Sequence, residues 1–262
     1  MTNPSYEYHG LMAKTWDLFR GDTSQWEDRF FYLDVVTKYG GPVLDIGCGT
    51  GRILLDFMTQ GVDIDGVDNS PEMLALCRDK AAKLGLKPSV YQQEMNELSL
   101  PRKYQTILVP SSSFQLLLDQ SLPPVAIKTF FDHLLPGGVL AMPFMTLWKE
   151  GDPLETEWSK EIVNPEDGLT YRRWSHTRFD PATRLEHTID RYDVLREGKV
   201  IASEEHVQSP ATLSYTQEQA VLLYQNAGFK DIQVFHEFTF EPVRPEDTLF
   251  CVLGFKSLPN QE

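Results

Sequence analysis

The segment Asp45-Ile46-Gly47-Cys48-Gly49-Thr50-Gly51 sets one carboxylate and three alternate glycines directly behind the apolar pair Val43-Leu44. The apolar start reads as a buried strand. The glycines read as a tight turn that lets a ligand touch bare backbone. Arg52 to Gln60 then reads as a helix with Gly61 as its stop. The start of that helix offers unpaired N–H groups and the positive end of a dipole. The spacing is G-x-G-x-G. A dinucleotide turn is G-x-G-x-x-G, with its helix end aimed at a pyrophosphate. Asp45 would repel a pyrophosphate and attract a cation, such as the ammonium of an amino acid.

A second acid follows at the expected interval. Val62 to Val67 reads as a strand ending at Asp68, 17 residues after Gly51. An acid about 20 residues beyond such a glycine loop can accept both hydroxyls of a ribose. The next helix starts with Ser70 as N-cap, Pro71 at its first position and Glu72 in its first turn, and Gly85 ends it.

Asp45-x-Gly47-x-Gly49-x-Gly51 resembles motif I of the class I S-adenosylmethionine-dependent methyltransferases, and Asp68 to Leu74 resembles the family's second motif. The resemblance implies S-adenosylmethionine as cofactor. On this likeness Asp45, Gly47, Cys48, Gly49 and Gly51 bind the cofactor, Asp68 holds its ribose, and Asn69 and Met73 lie near the adenosine. It also places Glu94 at the adenine amino group, Met95 against the ring, and Ser111 at the methyl-transfer end. The family's usual acid at the Glu94 position is Asp. An A-x-x-Y-D string of the family is matched by Ala13 to Asp17 with Trp16 in place of Tyr, which makes Trp16 a cofactor residue without a phenol hydroxyl. Tyr6, Tyr8, Trp16, Phe19 and Trp26 make the stretch ahead of the first strand read as an aromatic lid. An aromatic face there suits a sulfonium.

The elements that must position these residues alternate as βα units. Ser89 to Glu94, Tyr104 to Pro110 and Val139 to Phe144 read as further strands, and a helix closes over Ala126 to Leu135. Thr216-x-x-Gln219 reads as a capping box of a helix ending at Gly228, followed by strands over 231–240 and 248–256. The fold class is α/β: a doubly wound, seven-stranded, mostly parallel sheet with an antiparallel last strand. Between Leu147 and Ala211 the pattern switches to period-2 segments at 158–163, 169–179, 184–195 and 200–208. They form an inserted antiparallel meander. Three regions follow: a helical lid over 1–40, a cofactor-binding domain over 41–146 and 212–262, and the insert over 147–211. The layout resembles that of sugar N,N-dimethyltransferases. It implies that the insert covers the acceptor site, with a homodimerisation or stabilising layer as the plain alternative.

Chemistry at the acceptor is less defined. His176, His187 and His206 on separate meander strands, with Tyr8 of the lid, are the candidates for a general base. The loop Pro110 to Gln115 lacks the N-P-P-Y type signature of amino-methylating nucleic-acid enzymes. With 24 basic against 38 acidic residues, the net charge of −14 argues against a nucleic-acid partner. A small-molecule methyl acceptor, N or O, is the expected partner. No run of 18 apolar residues suggests a membrane span, and the polar first ten residues lack a secretion leader's apolar core. Cys48, Cys77 and Cys251 have neither disulfide nor metal spacing, so a reducing cytoplasm and no metal are expected. A catalytically silent cofactor-binding regulator and a nicotinamide-dependent oxidoreductase are the rival readings. The second is opposed by Asp45 and the glycine spacing.

Overall fold

Val43–Ile46 forms β1, buried at every position, and the three glycines behind it all take positive φ: Gly47 at 73°, Gly49 at 54° and Gly51 at 85°. L side chains rarely adopt this region, so the alternate glycines let the chain turn sharply into α3, Arg52–Thr59. The computed structural model describes residues 8–258, so Tyr6 lies outside the described residues. The βα alternation continues with β2 (Ile64–Asp68), α4 (Pro71–Lys83), β3 (Ser89–Gln92), β4 (Tyr104–Leu108), α5 (Leu122–His133) and β5 (Leu134–Met145). Ser70 caps α4 by accepting from Met73 N, with Pro71 inside the first turn.

Among the described residues the main sheet has seven strands in the order β10-β11-β5-β4-β1-β2-β3. Here β10 is Lys230–His236 and β11 is Leu249–Phe255. Strands β1 to β5 pair in parallel, and β11 runs antiparallel to both β5 and β10. The expected antiparallel last strand is therefore present. The order reverses between β1 and β4, so the ends of β1, β2, β3 and β4 open on one crevice. One face of the sheet is packed by an aromatic cluster that includes Phe114, Phe130, Phe144 and Tyr224. The other is covered by α2 (Glu27–Tyr39), which buries Phe31, Tyr32, Val35 and Val36, and by α3 and α4. Of the N-terminal segment, α2 thus belongs to the core, and α1 (Gly10–Arg20) reaches the crevice.

The insert forms its own antiparallel sheet, β6-β7-β8-β9, from Glu155–Val163, Thr170–Asp180, Leu185–Arg196 and Lys199–Leu213. It rests on α1: Lys160 Nζ donates to Phe19 O, the Phe19 and Tyr192 rings meet at 6.2 Å, and Leu11 N donates to Glu204. Gln115 fastens the insert to the crevice. Fully buried, it donates to Leu213 O (2.7 Å) and Met145 O (3.1 Å) and accepts from Met145 N (2.8 Å). It thereby ties the strand before the insert to the strand that ends it. The helix α6, Gln217–Ala227, then begins with the full Thr216–Gln219 capping box. Among the described residues no helix is long and apolar enough to cross a membrane.

Candidate active site

The crevice at the strand ends contains a cavity of about 380 Å³. That lies in the range of pockets that enclose small ligands. Its wall brings together every cofactor residue expected from the sequence: Trp16, Asp45, Gly47, Cys48, Gly49, Asp68, Asn69, Met73, Glu94, Met95 and Ser111, with the exception of Gly51. Gly51 stands behind the wall. A Cβ there would lie 2.7 Å from Cys77 Sγ and from Leu55 Cγ, so it lets α3 and α4 pack closely.

Asp45 dominates the electrostatics. It is buried on β1, and its Oδ1 has no hydrogen-bond partner in the protein. Burial pushes its carboxyl up to about 7, against the opposing pull of Arg52. Arg52 itself is committed to Asp28, with Nη1 and Nη2 2.9 and 2.5 Å from the two carboxylate oxygens. A buried carboxylate oxygen without a partner, on the wall of a cavity, is suited to receive a cation or a donor group from a ligand.

Asp68, at the end of β2, is aimed by the turn itself. Gly49 N donates to its Oδ2 at 2.8 Å and Ser70 N to its Oδ1 at 2.9 Å. Burial raises its carboxyl despite these two donors. Each oxygen retains a second lone pair for a ligand hydroxyl. Asn69 Nδ2 lies 3.2 Å from Glu94 Oε2, which holds Glu94 at the crevice edge.

The N-terminal segment closes over this wall. Ser70 Oγ donates to Tyr8 O, Gly10 N donates to Glu72, and Thr50 Oγ1 of the glycine turn donates to Asp17. Tyr8 lines the cavity and meets the Trp16 ring at 4.7 Å. Arg20 also lines the cavity, one helical turn beyond Trp16, with its guanidinium 4.1 Å over the Trp16 ring and 5.4 Å from the Trp26 ring. Burial lowers its pKa. Sequence reasoning passed over Arg20, although the i, i+4 spacing of Trp16 and Arg20 was a readable signal for a stacked pair. This guanidinium covers one face of the Trp16 ring, and Trp16 also lines the cavity.

The four base candidates separate. Tyr8 lines the cavity, and the three histidines do not. His176 stacks on Trp174 with Nε2 3.8 Å from Glu155. His187 stands opposite Arg178 in the β7–β8 ladder. His206 is buried against His9 and Tyr192 beneath α1. Among the described residues, none of the insert lines the cavity. Its far end is formed by Pro110 to Ser113, Leu116, Leu117, Leu118 and Leu122.

Residues 43–138 match the family described as methyltransferase domain. That stretch is similar to a methyltransferase domain, the chain has the fold of S-adenosylmethionine-dependent methyltransferases, and S-adenosylmethionine is the cofactor that this fold and cavity fit. The chain is 30% identical over 151 residues to dTDP-3-amino-3,4,6-trideoxy-alpha-D-glucopyranose N,N-dimethyltransferase of Streptomyces venezuelae, a match covering 57% of this chain and 61% of that protein. It is 25% identical over 240 residues to dTDP-3-amino-3,6-dideoxy-alpha-D-glucopyranose N,N-dimethyltransferase of Streptomyces fradiae, covering 86% of each. Among solved structures, an S-adenosylmethionine-dependent methyltransferase from Clostridium acetobutylicum superposes with a TM-score of 0.74 at 19% identity, covering 94% of this chain and 98% of that one. The sugar N-methyltransferase KedS8 from Streptoalloteichus does so with a TM-score of 0.72 at 22% identity, covering 98% of each.

Proposed function

We propose that the protein transfers the methyl group of S-adenosylmethionine to the amino nitrogen of a small molecule. The observation that carries the reading is Asp45: a buried carboxylate with an unpartnered Oδ1, set at a G-x-G-x-G turn beside a second aimed carboxylate, Asp68. Two N,N-dimethyltransferases of amino sugars among its relatives favour nitrogen over oxygen.

When bound, S-adenosylmethionine supplies a methyl group already activated by its sulfonium. The chain's residues then have three tasks: to hold the cofactor, orient the nucleophile and exclude water. Asp45 takes the ammonium end. Arg20 takes the carboxylate of the same amino-acid portion. Asp68 accepts from the ribose hydroxyls, and Glu94 with Met95 receives the adenine. The positive-φ glycines admit the ligand against backbone. Tyr8, Ser111 and the leucines after Phe114 bound the remaining space, where the amine must lie. Tyr8 is the acid–base candidate that the cavity wall contains.

The test is methyl transfer from radiolabelled S-adenosylmethionine to a panel of small amines, with nucleotide-linked amino sugars among them and matching alcohols as controls. Labelled N-methyl products, lost in Asp68→Ala, support the reading. Label only on alcohols, or no cofactor binding at all, rejects it.

A further inference from the structure

Away from the cofactor cavity, His9, Glu204 and His206 form a cluster that the proposed reaction leaves unused. Their ligand-type atoms all lie within 4.8 Å of one another. Glu204 Oε1 is the hub, 2.7 Å from His206 Nε2 and 3.7 Å from His9 Nδ1. His206 is buried, and its Nε2 meets the Glu204 carboxylate at that short distance. The two imidazole rings meet at 4.5 Å between centroids, tilted by 41°. His9 precedes α1, while Glu204 and His206 alternate on β9, so the group exists only where the N-terminal helix lies on the insert.

We infer that His9, Glu204 and His206 bind a zinc ion that staples α1 to the inserted sheet. Two imidazoles and a carboxylate are a familiar zinc set with a fourth position open to water. Zinc–ligand bonds of about 2.0–2.1 Å set tetrahedral ligand atoms roughly 3.3 Å apart. The present 2.7 and 3.7 Å separations straddle that spacing. The third edge, between the two imidazole nitrogens, lies within 4.8 Å and must close toward the same spacing when an ion binds. The carboxylate is already oriented from outside the cluster, because Leu11 N donates to Glu204 Oε2 at 2.9 Å. Such a partner fixes a metal ligand and is part of a working site. Chain order hides the site: the two histidines lie 197 residues apart, at positions 9 and 206, and no thiolate takes part.

Tyr8, the neighbour of His9, lines the cofactor cavity, and its carbonyl accepts from Ser70. An ion on His9 therefore holds the segment that closes the cavity. The staple does not depend on which acceptor is methylated.

The test is titration of tag-free, full-length protein with zinc chloride in competition with a chromophoric chelator, with cobalt(II) absorption as the coordination probe. The expected result is one equivalent bound, with a cobalt spectrum of four-coordinate nitrogen and oxygen ligands and without thiolate bands. His206→Ala and His9→Ala should each weaken zinc binding by at least about 100-fold, since even outer-shell losses cost 10–100-fold. His9 lies at the edge of the fold, so its variant remains informative if buried His206→Ala fails to fold. Zinc should also slow amide exchange across residues 10–20 in the wild type and not in His9→Ala. No zinc bound by the wild type, equal affinity in folded His9→Ala, or thiolate bands from the buried cysteines would each overturn the staple.

Discussion

Replacing Asp45 by Asn separates the cost of a buried charge from its use. Burial holds the Asp45 carboxyl at about 7 in the folded protein, against its ordinary value of 3.8. The folded state therefore binds a proton that the unfolded state has released. Stability is greatest below the unfolded value and is lost as pH rises through the folded one. The slope is about 1.4 kcal/mol per pH unit where the two states differ by a full proton. Integrated from pH 5 to 7, with the folded group half titrated at the top, the loss is about 2 kcal/mol. Asp45→Asn removes this term, so its stability relative to wild type should rise by about 2 kcal/mol over that window. The cofactor's cation should have the opposite effect. It stabilises the ionised carboxylate, so binding should release a proton near pH 6, and Asn should lose about 1.5–3 kcal/mol of affinity. Urea unfolding of both ligand-free proteins at pH 5, 6 and 7 checks the first part. Titration calorimetry in buffers of different ionisation enthalpy checks the second. A wild type and variant with parallel stability–pH curves and equal cofactor affinity would refute the reasoning.

Three further outcomes are expected. Asp68→Ala should weaken cofactor binding roughly 10- to 100-fold by calorimetry, because it removes the charge-assisted acceptor held by Gly49 N and Ser70 N. Gly49→Val should fold with a modest loss of stability, since a φ of 54° strains a branched residue, and should bind the cofactor poorly in equilibrium dialysis. Gln115→Ala should cost about 3 kcal/mol in urea unfolding, because it leaves the main-chain groups of Met145 and Leu213 at the insert's base without their partner.

What could be read from the sequence was whatever is specified by neighbours in the chain. The glycine turn needs only its own residues, and the Ser70–Pro71 and Thr216–Gln219 helix starts are local hydrogen-bond devices. The meander announced itself by period-2 alternation, and its four strands fall within a few residues of their expected bounds. The seven-stranded, mostly parallel sheet with an antiparallel β11 followed from the βα pattern and the family likeness, and the order of its strands did not. Features built by distant segments did not show. Arg20 becomes a cavity cation only when Trp16 and Trp26 fold around it. Residues of α2 read as lid until Phe31 and Tyr32 are seen buried against the sheet. The meander histidines looked alike in sequence, because alternation alone does not say which face of the insert meets α1. His206 lies on that face, beside His9, and His176 pairs with Glu155 near the sheet edge.

The central claim is that the cavity at the glycine turn holds S-adenosylmethionine between Asp45 and Asp68. Calorimetric titration of the wild type and of the Asp45→Asn/Asp68→Ala double variant, with S-adenosylmethionine and with NAD, tests it most directly. One equivalent of S-adenosylmethionine should bind the wild type, binding should be lost in the folded double variant, and NAD should produce no heat of binding. Saturable binding of NAD in place of S-adenosylmethionine, or undiminished S-adenosylmethionine affinity in the double variant, would contradict it.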